Sequence, residues 1–126
     1  MITKQLSVFM ENRSGRLEDV LKTLAANDIN MSALSLADTS EYGMLRMVVS
    51  DAEKAKNILR ENGFSASLTD VICVEVANES GSLLKKLEAL LQAGLSVEYM
   101  YAFSKGDQAM AVLKCSDPEK ALEYLK

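Results

Sequence analysis

Two short turns carry the residues best suited to bind a small anion. Residues 12–17 read Asn-Arg-Ser-Gly-Arg-Leu and residues 78–83 read Asn-Glu-Ser-Gly-Ser-Leu, each between an alternating apolar segment and an amphipathic one. Glycine lets the chain turn tightly between a strand and a helix. The helix that follows presents unpaired N–H groups and a partial positive charge, which can bind a carboxylate. The alternative is a polar cap that serves folding alone.

The two turns differ in charge. Arg13 and Arg16 flank the first turn, whereas Glu79 and Ser82 hold the corresponding places in the second. An α-amino acid carries both signs, so its carboxylate would suit the arginine-flanked turn and its ammonium group would suit Glu79. We therefore hypothesise that the turns are not equivalent and that the first dominates carboxylate binding. Solvated surface charges are the alternative.

Missing residue types exclude much of the common chemistry of catalysis. The sequence has no histidine, which removes imidazole bases, histidine-activated nucleophiles and histidine metal ligands. Cys73 and Cys115 are far apart and fit no metal-binding spacing. We therefore expect no catalytic residue, no metal and no cofactor. An enzyme built from Asp, Glu or Lys, or an acylphosphatase-like one that uses Arg13 and Arg16, is a weaker alternative.

Charge and hydropathy exclude two classes of partner. Fourteen Lys and Arg residues stand against eighteen Asp and Glu, which gives a net charge of -4. Nucleic-acid binding needs a concentrated positive surface, so this balance disfavours it. No apolar run approaches the roughly 20 residues that a membrane span needs, and the first residues do not resemble a secretion signal. A cytoplasmic location is expected.

The chain repeats itself. When the sequence is laid over itself with a shift of 66 residues, segment 4–60 falls on 70–126, and 14 of the 57 pairs are identical. Unrelated stretches would match at roughly 6% of positions. The matches include both turns and the starts of both later helices. The sequence therefore predicts two copies, residues 1–68 and residues 69–126.

Each copy has the periodicity of a small α+β unit. Alternation in residues 6–10 predicts a strand, and apolar spacing from Leu17 to Ala25 predicts an amphipathic helix. Two more strands, a helix capped by Asp51 and a short strand over 64–68 follow. This β-α-β-β-α-β order is the ferredoxin-like fold, with an antiparallel sheet and both helices on one face. The second copy ends inside its second helix, so its last strand is absent or truncated, or the sheet edge is completed in another way.

Strand alternation also predicts which way several side chains face. Cys73 should lie on the sheet face opposite the helices and Cys115 on the helix face, which predicts two free thiols. Tyr99, Tyr101 and Phe103 form an aromatic stripe on one face of a strand. Packing inside the protein is the favoured explanation of this stripe. A ligand pocket or a dimer surface is the alternative.

The repeated pattern resembles the ACT domain. That family has a Pro/Ser-Gly-x-Leu turn and, one helix later, a Gly-Ile-Asn-Ile-like entry into the second strand. Here residues 14–17 match the turn, and residues 27–31, Asn-Asp-Ile-Asn-Met, match the entry. The second copy repeats both, except that Ser96 replaces the Asn of the entry, and both turns have Ser where Pro is commonest. The chain thus resembles a stand-alone tandem ACT protein.

The resemblance implies a regulatory protein that binds a free amino acid at an interface between two ACT units and carries out no catalysis. A homodimer and a partner enzyme or transcription regulator are implied as well. Carried over residue by residue, the implied ligand-binding residues are Asn12, Arg13, Ser14, Gly15, Leu17, Asn30 and Met31 in the first copy, and Asn78, Glu79, Ser80, Gly81, Leu83, Ser96 and Val97 in the second. The alternative is a ligand-free module of the same fold for protein interaction or dimerisation.

Overall fold

The computed structural model describes residues 1–11, 14–38 and 41–125. Within these ranges the elements are β1 (Ile2–Glu11), α1 (Arg16–Ala26), β2 (Met31–Asp38), β3 (Tyr42–Val49), α2 (Ala52–Glu61), β4 (Ser65–Ala77), α3 (Ser82–Gln92), β5 (Val97–Lys105), β6 (Gln108–Cys115) and α4 (Pro118–Tyr124). Among the described helices, none has the length and hydropathy needed to cross a bilayer. The chain divides into two compact units, a first unit of Lys4–Thr69 and a second unit of Met1–Thr3 with Asp70–Lys126.

In the first unit the strand order is β2-β3-β1-β4, and β3 is antiparallel to both β1 and β2. Leu6 and Val8 of β1 alternate with side chains on the other face, because successive residues of a strand point in opposite directions. Both are fully buried in one cluster with Leu24 of α1 and Leu59 of α2. The two helices therefore cover one face of the sheet, as the amphipathic spacing predicts.

The second unit repeats this arrangement. Strand β6 is antiparallel to β4 and β5 and lies between them. Ile72 of β4, Leu90 of α3, Leu113 of β6 and Ala121 of α4 are buried in one cluster. Helix α3 starts and ends 66 residues after α1, the shift that superposes the two halves of the sequence. The prediction of a duplicated ferredoxin-like α+β fold is confirmed.

Strand β4 differs from the sequence prediction. The pattern predicts two strands, a short one over 64–68 that ends the first copy and another around Ile72, but the structure has one strand of 13 residues, Ser65–Ala77. Its start lies in the first unit and the rest, from Asp70 onward, lies in the second. Polar residues at the middle of β4 favour a break locally, yet backbone pairing on both halves keeps the strand extended.

The first three residues occupy part of the place of the missing last strand. Met1–Thr3 belong to the second unit. The Met1 amino group donates to the Cys73 carbonyl oxygen over 3.3 Å, and the Cys73 N–H donates to the Met1 carbonyl oxygen over 3.0 Å. This reciprocal pair is the backbone pattern of neighbouring strands. Within the second unit, the start of the chain thus pairs with β4 at this point.

The two cysteines face opposite sides of the second sheet. Ile72, which precedes Cys73, pairs with Leu113 in the core, whereas Cys73 itself pairs with Val112. Cys115 is fully buried in the core, and both thiols are free, as predicted. Burial raises the pKa of the Cys115 thiol, and nearby Lys114 opposes this rise less strongly.

We expect iodoacetamide to alkylate Cys73 at least about tenfold faster than Cys115 in the folded protein, because the thiolate is the reactive form and must be accessible. Cys73 is partly exposed, whereas Cys115 is buried and its raised pKa leaves less thiolate near pH 8. Timed alkylation followed by peptide mass spectrometry measures both rates. In urea the two rates should become similar. Equal rates in the folded protein would contradict this placement of Cys115.

Candidate functional site

The second turn is tied to the tip of the β5–β6 hairpin through one residue. The Asn78 N–H donates to the Asp107 carbonyl oxygen over 2.9 Å, and the Asn78 side-chain Nδ2 donates to the Gly106 carbonyl oxygen over 3.4 Å. The chain then bends into α3, with the Glu79 N–H donating to Ala77 over 2.9 Å. These bonds fix the position of the turn relative to the strands that lie beneath it.

The helices that follow the two turns start differently from the other two helices. Asp51 and Asp117 cap α2 and α4, each accepting a backbone N–H over 3.1 Å. Helices α1 and α3 instead begin at Gly15 and Gly81, whose positive φ angles of 87° and 84° suit glycine, and no side chain of the described residues caps them. Among the described residues, the polar side chains of these turns therefore make no capping hydrogen bond to α1 or α3.

A cavity of about 300 Å³ opens beside the second turn. Its volume lies at the small end of the range for ligand pockets. The turn and α3 form one wall, the ends of β4 and β5 and the start of β6 form the floor, and the cavity opens to solvent. The lining residues are Val76, Ala77, Asn78, Glu79, Leu83, Ala102, Phe103, Ser104, Ala109 and Ala111.

Three of the sequence-predicted ligand residues, Asn78, Glu79 and Leu83, line this cavity together. Ser80 and Gly81 lie between them in the same turn. Ser96 and Val97 lie elsewhere, because Val97 pairs with Cys115 at the opposite end of β5 from Ala102, which pairs with Ala111. Five strand residues span roughly 16 Å. Within one unit, these two groups cannot contact the same small ligand.

The predicted ligand residues of the first unit are described only in part. Asn12 and Arg13 lie outside the described residues, so the predicted charge contrast between the turns stays a prediction. The remaining predicted residues are Ser14, which is exposed, Gly15, which begins α1, Leu17 and Met31, which pack against the core, and Asn30. The Asn30 N–H donates to Ser50 Oγ over 3.0 Å, and the Ser96 N–H donates to Ser116 Oγ over 3.4 Å. The entry to each second strand is thus held by the start of its own later helix.

Three alanines of the cavity floor were not predicted from the sequence: Ala102, Ala109 and Ala111. Alanine has no chemistry that marks it as functional. Comparison of the two copies could have identified two of them, because Ala102 and Ala111 are much smaller than the corresponding residues of the first copy, Leu36 and Leu45. The aromatic stripe, by contrast, is only half-buried, and its last member, Phe103, lines the cavity.

The family model of the ACT domain pair matches residues 1–126, the whole chain. The chain belongs to the ACT domain pair family. Among curated proteins, none matches this ACT domain pair protein in sequence.

Solved structures agree with the family. Protein BT0572 from Bacteroides thetaiotaomicron is 42% identical, with a TM-score of 0.96 over 99% of this chain and 87% of that one. The ligand-free regulatory subunit of aspartate kinase from Thermus thermophilus is 16% identical, with a TM-score of 0.72 over 98% and 94% of the two chains. The regulatory subunit of aspartate kinase from Thermus flavus is 18% identical, with a TM-score of 0.68 over 99% and 93%. The two aspartate kinase subunits share the fold with this ACT domain pair protein.

Proposed function

We propose that this ACT domain pair protein is a regulatory protein that binds a free amino acid and has no catalytic activity of its own. The observation that carries the proposal is the cavity beside the second turn, which brings Asn78, Glu79 and Leu83 together. Membership of the ACT domain pair family supports a regulatory role. The likeness in fold to two aspartate kinase subunits described as regulatory is consistent with it.

The turn offers complementary groups for both ends of an amino acid. The Glu79 carboxylate lies at the cavity and suits an ammonium group. The Ser82 N–H donates to the Glu79 carbonyl oxygen over 3.4 Å. The start of α3 has no side-chain cap among the described residues, so the N–H groups that follow Ser82 can bind a carboxylate. Ser80 and Gly81 shape the turn around these groups. In the first copy, the proposed counterparts are Asn12, Arg13, Ser14, Gly15 and Leu17.

Residues at the entries to the second strands are proposed to complete the ligand site from a second molecule of the protein. Ser96 and Val97 lie too far along β5 to reach a ligand bound at the turn of their own unit, and Asn30 and Met31 are their counterparts in the first unit. We therefore propose that they contact it across a homodimer interface, where the entry of one protomer meets the turn of its partner. Ligand binding would then favour one arrangement of the dimer, which a partner enzyme or transcription regulator in the cytoplasm would recognise.

Thermal unfolding with each of the twenty amino acids tests the proposal. A ligand present at about 100 times its dissociation constant adds about 2.7 kcal/mol to the free energy of unfolding. For a domain of this size, the resulting rise in Tm is several degrees. The D-enantiomer of each amino acid that raises Tm is the control and should have little effect. Twenty flat curves at millimolar concentrations would contradict amino-acid binding.

An exposed aromatic pair supports the alternative of a ligand-free interaction module. Phe9 and Tyr42 stack with ring centroids 5.0 Å apart and are 46% and 44% exposed. They lie on the sheet face opposite the helices of the first unit, since Phe9 alternates with buried Val8 and Met10. Light scattering distinguishes the two functions. An interaction module keeps its oligomeric state when Glu79 is replaced, whereas a ligand-driven assembly loses its response to the amino acid.

A further inference from the structure

The two units differ in bulk at matched positions of the cavity floor. A shift of 66 residues pairs Met10 with Val76, Leu36 with Ala102, Gly43 with Ala109 and Leu45 with Ala111. Three of these pairs carry the smaller side chain in the second unit, whereas the glycine–alanine pair reverses the order, as does the lining residue Phe103, which corresponds to Ala37. The backbone elements correspond between the units, so the difference in bulk becomes a difference in free volume.

In the first unit, bulkier side chains lie at the corresponding positions. Leu45 is fully buried in the core, and Met10 is 5% exposed. Leu36 is 46% exposed and lies against Gly43, since a Cβ placed on this glycine would lie 3.5 Å from Leu36 Cδ1 and 4.0 Å from Met10 Cγ. These side chains leave less room for a ligand than the alanines of the second unit.

In the second unit, the same space has an apolar floor and a single charge at its rim. Ala102, Ala109 and Ala111 form the floor, and Val76 and Leu83 flank it. Glu79 is the one ionisable residue among the described residues that line the cavity. This arrangement suits a ligand that carries a positive charge at one end and an uncharged, apolar group at the other.

We infer that the chain has one ligand site, located in the second unit, which takes an amino acid with an apolar side chain such as valine, leucine, isoleucine or methionine. The inference rests on the proposed function, restricts its site to the second turn, and adds the class of side chain. The ammonium group faces Glu79, and the side chain covers the alanine floor. A ligand with a charged side chain, acidic or basic, is disfavoured because that charge would lie against the apolar alanines.

Isothermal titration calorimetry of the full chain with leucine, valine, isoleucine and methionine, and with aspartate and lysine, tests the class and the number of sites. We expect at least one of the four apolar amino acids to bind with a stoichiometry of one per chain. Aspartate and lysine should bind at least about tenfold more weakly than that ligand.

Two substitutions that exchange side chains between matched positions of the two units test the location of the ligand site. Ala102→Leu places the first-unit side chain on the cavity floor and should weaken binding by about 10- to 100-fold, because the leucine would occupy the space that the ligand side chain needs. Ala102 is exposed, so this variant should fold, and its circular dichroism spectrum and Tm confirm that. The control, Leu36→Ala, makes the reverse exchange in the first unit and should change the affinity by less than about twofold.

The possible failures separate the inference from the proposed function. If a polar or charged amino acid binds and the apolar ones do not, the inference is wrong and the proposed function stands. The same holds if two ligands bind per chain, or if Ala102→Leu binds as tightly as the wild type. If none of the twenty amino acids binds, both are wrong.

Discussion

Replacement of Leu90 by alanine should lower the free energy of unfolding by about 2–5 kcal/mol, the usual range for removing a buried leucine side chain. Leu90 lies on α3, is 1% exposed and packs in the core of the second unit with Ile72, Leu95 and Leu113. The substitution removes apolar contacts and leaves a cavity that a packed core closes only in part. Urea denaturation measures the change as a lower midpoint with an unchanged slope.

Leu91 provides a matched control one residue away. It is 75% exposed on the same helix, so Leu91→Ala makes the identical chemical change on the solvent side. Surface substitutions of this kind usually change the free energy of unfolding by less than about 0.5 kcal/mol. If the two variants were destabilised equally, the face of α3 that packs on the sheet would be wrongly assigned.

Glu79→Gln should weaken binding of the amino-acid ligand by about 10- to 100-fold, because a hydrogen bond to a charged group contributes about 1.5–3 kcal/mol. Glutamine keeps the size and shape of the side chain and removes its charge. Glu79 is exposed at the rim of the cavity, so the fold should not depend on it. Calorimetric titration of wild type and variant with the same ligand gives the ratio of dissociation constants.

A ligand without an ammonium group provides a second test of the role of the Glu79 carboxylate. If leucine binds, 4-methylpentanoate, which has the same side chain without the ammonium group, should bind the wild type more weakly. The variant should lose most of this difference, since the ammonium group then faces no carboxylate. Glu88→Gln on the exposed surface of α3 makes the same change away from the cavity and should leave the affinity within about twofold. Unchanged discrimination in Glu79→Gln would rule out the proposed role of Glu79.

Most of the fold could be predicted from the sequence because the same pattern occurs twice. Apolar spacing around Leu24 and Leu90 predicts both first helices, and the buried positions of these residues confirm it. The single strand β4 and the pairing of Met1 with Cys73 were not predicted. Both depend on backbone hydrogen bonds between residues distant in sequence, and such pairing leaves little trace in local periodicity.

Only the polar part of the candidate site could be predicted from the sequence. Polar and charged residues such as Asn78 and Glu79 stand out because their chemistry is specific, and the structure places both at the cavity. The free volume beside them comes from Ala102 and Ala111, which matter by being small. These small side chains indicate free volume only when they are compared with the bulkier Leu36 and Leu45 at the matching positions of the first copy.

The boundary between the two units falls inside β4, between Thr69 and Asp70, so both units draw on one strand. In an extended strand, successive side chains alternate between the two faces. One residue inserted at this boundary would reverse the alternation of Ile72 and Val74 relative to Ala66 and Leu68 in a continuous β4, and two inserted residues would restore it. For as long as β4 remains a single strand, the chain length at this boundary is therefore constrained in steps of two residues.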